Sequence, residues 1–487
     1  MNHSPSVCFI TLGCAKNEVD TNRMRAHISA SALREVDDPA AADVVIVNTC
    51  SFITEATEES LAAIFEVLTL PNFEQGRAKL VVAGCMPARY GAELRSELPE
   101  VAAFVSAADE DGIVEVCRRL LGESLVCEQT GFALPHRAEP SRIVDASWAY
   151  VKISDGCSRR CSYCTIPLIR GPYRSRLYAE IVAEVDELVA GGAREIILIG
   201  QDTGIWGCDL KGCDLKHEAK PDSLQKDSLQ RPQTLAQLLD VFADRYPHTW
   251  FRVMYLQPQG ITDELLAAIQ RHDNICNYFD IPLQHVNARV LKEMNRSGSP
   301  EAHQSLIARI RAALPDATLR TTLIAGFPGE TREEAAELKA FVETADFDYV
   351  GVFAYSQEDE TPAGKRVDQL PLRVRISRQQ RLRDAADAIG FERAAKKVGI
   401  EQDVLICGVD EDGLFGRTQG QAPEVDGLVY VQGIDADAAF ERGIIRVRIT
   451  DVACYDLFGE VINERAGEVV DGNASGVTDG NASKSNR

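Results

Sequence analysis

The sequence has no run of about 18 apolar residues anywhere in its 487, so it offers no membrane-spanning helix. Its opening, "MNHSPSVCFITLGCAKNE", lacks a charged stretch leading into a long apolar one. That argues against a secretory leader and gives the expectation of a cytoplasmic protein with no membrane partner. Positive charge is short as well: 52 lysines and arginines stand against 74 acidic residues, a net of −22, which disfavours general attraction to nucleic acid or to an anionic surface. Fourteen cysteines over this length are too sparse for a small disulfide framework, and in a reducing compartment clustered cysteines bind metal or do chemistry. What remains is a globular composition, 45% hydrophobic and 26% charged, long enough for two or three domains with separate cores.

Periodicity divides the chain into three folded parts, α/β in class, and a tail. Residues 1–121 alternate short apolar runs ("VCFITLGC", "ADVVIVNTC", "KLVVAGC", "AAFVSA") with amphipathic stretches, the pattern of an N-terminal parallel sheet covered by helices. Residues 122–147 carry Gly122, Gly131, Pro135 and Pro140 and read as a linker. Between 148 and 390 six β/α units follow, from "AYVKISDGC" to "YVGVFAYSQ", fewer than the eight of a closed barrel; a partial (β/α)6 barrel is predicted. Inside it, 207–230 contains the tandem duplications "GCDLKGCDLK" and "DSLQKDSLQ", a polar insertion that carries Cys208 and Cys213. Residues 391–462 are β-rich runs punctuated by glycine, expected to form a small all-β barrel. The tail, 463–487, repeats "DGNAS" and is expected to be disordered.

The stretch "SDGCSRRCSYCTIPLIRG" places Cys157, Cys161 and Cys164 at spacings of four and three, just after the first barrel strand, with no fourth cysteine until Cys208. A structural zinc site normally closes with four protein ligands, so zinc is the lesser reading. An iron-sulfur cluster held by three thiolates leaves one iron free to take a substrate or cofactor. A second triad sits in the first domain: Cys14, Cys50 and Cys85 each end a predicted strand. Parallel strands put those ends on one edge, where open α/β folds keep their sites, so thiols 36 and 35 residues apart could converge. The alternative for each is a small apolar residue closing a buried strand. Cys8, Cys117, Cys127, Cys276, Cys407 and Cys454 are expected to be structural.

"CSRRCSYC", a CxxxCxxC motif with an aromatic before its last cysteine, resembles the signature of radical S-adenosylmethionine enzymes. The resemblance implies a 4Fe-4S cluster on Cys157, Cys161 and Cys164 whose open iron chelates S-adenosylmethionine and yields a 5′-deoxyadenosyl radical. It also puts Tyr163 beside the adenine, Gly200, Gln201 and Asp202 in the place of the family's methionine-binding glycine motif, and Gly326, Phe327, Pro328 and Gly329 ("GFPG") around the cofactor. No catalytic residue beyond the cluster ligands is implied. Together with "TLGCAKNEVDTNRM", "VNTCSFITEATEES" and "GCMPARY", the chain from about 7 to 460 is similar to the methylthiotransferases, in which Cys14, Cys50 and Cys85 would hold a second 4Fe-4S cluster and the last domain would be a TRAM module.

"CTIPLIRGPYRSR" and "DIPLQHVNARVLKEMNR" look most like the branch that modifies an aspartate at its β-carbon in ribosomal protein S12, rather than the tRNA adenosine branch. Partners implied are that basic protein, an electron donor such as flavodoxin or ferredoxin, and a sulfur donor; no direct tRNA binding is expected. Residues 399–461 fit, with thirteen acidic residues against four arginines and no lysine, which would repel a polyanion. Two features depart from the family pattern, the 207–230 insertion and "YLQPQG" at 255–260, where an acidic residue is expected. A non-catalytic iron-sulfur electron carrier would need fully ligated clusters, and a simple binding protein built on the last domain would leave both triads unexplained.

Overall fold

In the computed structural model the described residues are 5–122, 147–210 and 232–462; nearly all of the expected linker, most of the insertion and the whole tail lie outside them. Five parallel strands open the chain: β1 (Ser6–Thr11), β2 (Arg34–Glu35), β3 (Val44–Thr49), β4 (Lys79–Gly84) and β5 (Ala103–Ser106), in the order β2-β1-β3-β4-β5. Strand β3, "VVIVNT", lies at the centre and is buried on both faces, which is why it reads as a continuous apolar run rather than an alternation. Separate apolar clusters cover the two faces, one around Val44, Ile46 and Val81, the other around Val45, Val47 and Val82.

The second part contains β6 (Trp148–Lys152), a small antiparallel pair β7 (Ser154–Asp155) and β8 (Arg174–Ser175), then β9 (Glu195–Ile199), β10 (Trp250–Val253), β11 (Tyr278–Gln284), β12 (Thr318–Ala325) and β13 (Tyr349–Ala354). The six long strands form two parallel three-stranded sheets, β10-β9-β6 and β11-β12-β13, bridged where Phe251 pairs with Ile275. One face of these strands packs on the covering helices through Val151, Ile196, Leu198, Phe251 and Phe279. The other face, with Tyr150, Ile197, Trp250, Tyr278 and Tyr349, meets Ala15 and Val19 of the first domain and Leu405 and Ala422 of the last. A partial barrel cannot fill its own interior, and the neighbouring domains do so.

The helix Leu372–Ala395 crosses the expected 390/391 boundary and leads into β14 (Glu401–Asp410), β15 (Gly413–Arg417), β16 (Val429–Gln432), β17 (Ile444–Ala453) and β18 (Asp456–Val461), a closed barrel in the order β14-β15-β16-β18-β17. Its interior holds Val404, Ile406, Val429, Ile445, Val447 and Leu457. Glu195, at the start of β9, receives Arg252 at 2.7 Å and Arg417 of the small barrel at 2.6 Å, all three buried, and joins the two barrels. Among the described residues no helix is long and apolar enough to cross a membrane.

Candidate functional site

Cys50 directly follows β3, Cys85 directly follows β4, and Cys14 lies three residues after β1. Because β1, β3 and β4 are adjacent and parallel, the three cysteines stand side by side on the C-terminal edge of the sheet. Buried Asn17 touches two of them: its Oδ1 accepts from Cys14 Sγ at 3.4 Å, and its Nδ2 donates to Thr49 O at 3.0 Å and faces Cys85 Sγ at 3.9 Å. Gly13 turns the chain at φ +103°, and a Cβ there would come within 2.6 Å of Cys50 Cβ, so a side chain would push the first and second cysteines apart. The Cys50 thiol donates to Cys85 and, with Arg170 at 3.6 Å, holds the Cys85 thiol below its ordinary value against the burial that raises it.

The second triad lies on the loop after β6. Gly156 (φ +71°) starts it, with no room for a Cβ because Pro172 O would sit 2.2 Å away. Cys157 N donates to Gly171 O, Ser162 is fixed by Met294 O and Glu293 O, and Asn295 Nδ2 donates to Arg160 O at 2.7 Å, so the loop is held along its length. Arg296 faces Cys161 Sγ at 3.9 Å while donating to Gln257 Oε1 and Pro282 O. Burial pushes Cys157 up and Cys164 to about 12. As free groups these two are protonated thiols, and a bound metal is what would make them thiolates.

Both triads belong to one region. Thr165, next to Cys164, donates to Phe52 O, two residues after Cys50, at 3.0 Å. Arg170 reaches from the second triad's segment to Cys85 and also pairs with Asp20 at 2.6 Å, and Lys152 of β6 shares that carboxylate at 2.6 Å. Arg89 pairs with Glu358 at 2.6 Å across the same seam. Among the described residues no three His, Cys, Asp or Glu side chains stand close enough together to hold a single metal ion. A cluster in which each thiolate takes a different iron does not ask them to; it asks for three thiols on one rim without a fourth donor, and each triad fits that.

The other residues singled out in the sequence fall around the second triad with unequal support. Gly200, Gln201 and Asp202 follow β9 at the same strand-end face: Gln201 Nε2 donates to Asp155 Oδ1 at 3.2 Å, and buried Asp202 receives Arg159 at 2.5 Å. Tyr163 packs against the apolar cluster that includes Val290, Met294 and Phe327. Gly326 has φ +82° and donates its N–H to Glu330, but the Phe327 side chain is fully buried in an apolar cluster with Tyr355, so of "GFPG" the backbone rather than this ring is placed to meet a ligand. Cys8, Cys117 and Cys276 are buried, Cys407 is half-buried, and Cys454 and Cys208 are exposed; Cys127 and Cys213 lie outside the described residues.

Sequence reasoning did not assign Asn17, Asp20, Arg170 or Arg296 to the site. The first two stand in "GCAKNEVD" and Arg170 in "CTIPLIRG", stretches whose likeness to the family was visible although the roles required the fold. In place of the acid expected within 255–260, Asp280 of β11 bonds Tyr255 N at 3.0 Å, while Gln257 and Gln259 accept from Arg296 and Arg159.

Residues 6–106 match an uncharacterized protein family, UPF0004; residues 151–342 match the Radical SAM superfamily; residues 398–462 match the TRAM domain. The chain is 39% identical over 476 residues to the ribosomal protein uS12 methylthiotransferase RimO of Geobacter sulfurreducens, covering 95% of this chain and all of that protein. It is 40% identical to the protein of the same name from Natranaerobius thermophilus, covering 94% and 99%. Among solved structures, the radical S-adenosylmethionine methyltransferase TsrM from Kitasatospora setae superposes with a TM-score of 0.50 at 15% identity over 74% of this chain and 77% of that one, a likeness of fold alone.

Proposed function

Since the chain belongs to the radical S-adenosylmethionine methylthiotransferases, enzymes that use an iron-sulfur cluster and S-adenosylmethionine, we propose that it adds a methylthio group to the β-carbon of an aspartate in ribosomal protein S12, using two 4Fe-4S clusters. Cys157, Cys161 and Cys164 would hold the radical cluster, and Cys14, Cys50 and Cys85 the sulfur-bearing one. When bound, the clusters and S-adenosylmethionine would supply the transferred sulfur, its methyl group (from S-adenosylmethionine) and the hydrogen-abstracting 5′-deoxyadenosyl radical, chemistry that no side chain provides for an unactivated C–H bond. The chain's own residues hold the two triads against each other: Arg170 and Thr165 tie the loop after β6 to the edge that carries Cys50 and Cys85. Gln201 and Asp202, at the end of β9, would help position the cofactor. An electron donor such as flavodoxin or ferredoxin and a sulfur donor complete the reaction.

The observation that carries the choice of substrate is the charge of the small barrel. Thirteen acidic residues against four arginines suit a basic protein and oppose a tRNA backbone. Its outer surface adds a row of aromatics: Phe415, Tyr430 and Phe458 are register partners on β15, β16 and β18, with Tyr430 and Phe458 stacked at 5.5 Å, and none of them belongs to the barrel's core. Asp410 accepts from the Tyr430 hydroxyl at 3.2 Å, and Asp412 and Asp456 lie close by. Aromatic faces beside carboxylates suit arginine side chains. The full-length enzyme should therefore bind the basic ribosomal protein with an affinity that falls as salt rises, and show no comparable affinity for tRNA. Mass spectrometry of ribosomal protein from cells lacking this enzyme should show the methylthio group missing. If that group persists while a tRNA adenosine loses its own, the substrate assignment is wrong.

A further inference from the structure

Five buried or half-buried cations around the triads are engaged. Lys152 and Arg170 share Asp20, Arg159 holds Asp202, Arg320 holds Asp280 at 2.9 Å, and Arg296 donates to Gln257 and Pro282 O. Lys16 differs. It is only 8% exposed, and among the described residues its ammonium makes no hydrogen bond or close ion pair; it lies over the face of Tyr255, 3.3 Å from the ring centroid, and feels Cys14, Asp280 and Asp155 only through space. A ring face attracts a cation but accepts none of its three N–H bonds well, so this ammonium keeps its donors free for an anionic acceptor.

The place is as particular as the vacancy in its bonding. Lys16 is two residues past Cys14, on the first turn of the helix Ala15–Ser29. Tyr255 is two residues past β10, on the barrel face where the strands end and where Cys157, Cys161 and Cys164 follow β6. The ammonium thus stands where the edge bearing one triad meets the mouth bearing the other. Tyr255 is held there at φ +62°, a conformation unusual for a bulky residue, by Asp280, which accepts its N–H at 3.0 Å and is itself fixed by Arg320. A strained residue supported from behind marks a platform built to keep its occupant in place.

We propose that Lys16 on its Tyr255 platform is the binding site for the carboxylate of the side chain to be modified. The inference rests on the reading that the substrate is an aspartate. The carboxyl carbon of an aspartate is bonded directly to its β-carbon, so a charge-assisted bond from Lys16 fixes the reacting carbon one bond away, between the two triads. An asparagine of the same shape would lose the ion pair and could turn a donor toward a donor, so the site selects acid over amide.

The test compares S12 with a variant whose target aspartate is replaced by asparagine, using anaerobically reconstituted full-length enzyme and its Lys16→Gln and Lys16→Arg variants. The wild type should prefer the aspartate form by roughly 100-fold in kcat/KM. Lys16→Gln should bring that ratio to within a few-fold of one, Lys16→Arg should restore part of it, and iron content should stay at the wild-type level in both. A Lys16→Gln enzyme that keeps the aspartate preference overturns the inference, as does one whose first-triad iron is lost, since Lys16 then serves the cluster. If the wild type fails to modify S12 at all, the functional reading falls first and this inference with it.

Discussion

Replacing Glu195 with glutamine should loosen the joint between the large and small barrels. Glu195 and Arg252 are 0% exposed and Arg417 is 2% exposed; the carboxylate takes Arg252 Nε at 2.7 Å on one oxygen and Arg417 Nη2 at 2.6 Å on the other. Arg252 also donates to Gln419 O and Thr418 O, and Arg417 to Gln421 O. Glutamine keeps the shape but leaves two guanidinium charges buried without a counter-charge, and breaking a buried pair in this way costs about 3–5 kcal/mol. At the middle of that range, the open state of the seam should be populated roughly a thousandfold more. Because a chain of several domains does not unfold in one step, the assay is hydrogen exchange of peptides spanning 414–432 and 250–254 rather than a single melting point. The pH dependence has a definite sign. Burial pushes Glu195 up, but Arg252 and Arg417 outweigh it and hold the carboxyl below its ordinary value of 4.5. Its contribution is therefore complete above pH 4.5 and is lost as pH falls through the lower folded value, a loss that Glu195→Gln should not show. Unchanged exchange across the seam at neutral pH in Glu195→Gln would refute the reasoning.

Cys157→Ala should abolish 5′-deoxyadenosine formation with dithionite, whereas Cys50→Ala should retain it; loss in the Cys50 variant with its second triad still loaded would overturn the division of labour. Gly156→Ala must accommodate a Cβ 2.2 Å from Pro172 O at φ +71°, so it should cost about 1–3 kcal/mol and deplete iron from the second triad alone, read by iron analysis against wild type. His303, buried against Phe341, is lowered by burial to about 4, so the folded protein disfavours its protonation. Local stability should fall by up to about 3 kcal/mol as pH drops from 6.5 towards 4, and a His303→Leu variant compared across that window by hydrogen exchange of the peptide spanning 300–313 should lack this component.

The long strands were readable because their residues obey period-two or all-apolar patterns: "ADVVIVNTC", "EIILIGQD" and "TLRTTLIAG" contain β3, β9 and β12. Strand β2 was not, since two residues at a sheet edge carry no period. "IIRVRITDVACYDLFGEVI" shows no break in its β pattern, yet it holds both β17 and β18, reversed through a turn in which Cys454 adopts φ +56°; neither Cys454 nor Tyr455 is a usual turn residue. The ends of β1, β3 and β4 made the convergence of Cys14, Cys50 and Cys85 deducible from strand order alone. What joins the triads was not deducible, because Thr165–Phe52 and Arg170–Cys85 are contacts between domains, separated by 113 and 85 residues, and no local pattern encodes them. Lys16 is similar: its residue type is visible in "GCAKNE", but its burial over Tyr255 is a property of the assembled seam.

The central claim is that each triad holds its own cluster, and iron and acid-labile sulfide analysis of anaerobically reconstituted protein tests it most directly. The wild type should carry about eight irons per chain, and simultaneous Cys→Ala replacement of either Cys14, Cys50 and Cys85 or Cys157, Cys161 and Cys164 should leave about four. A wild type that saturates at about four irons, all lost with the second triad and unaffected by removal of the first, would contradict it.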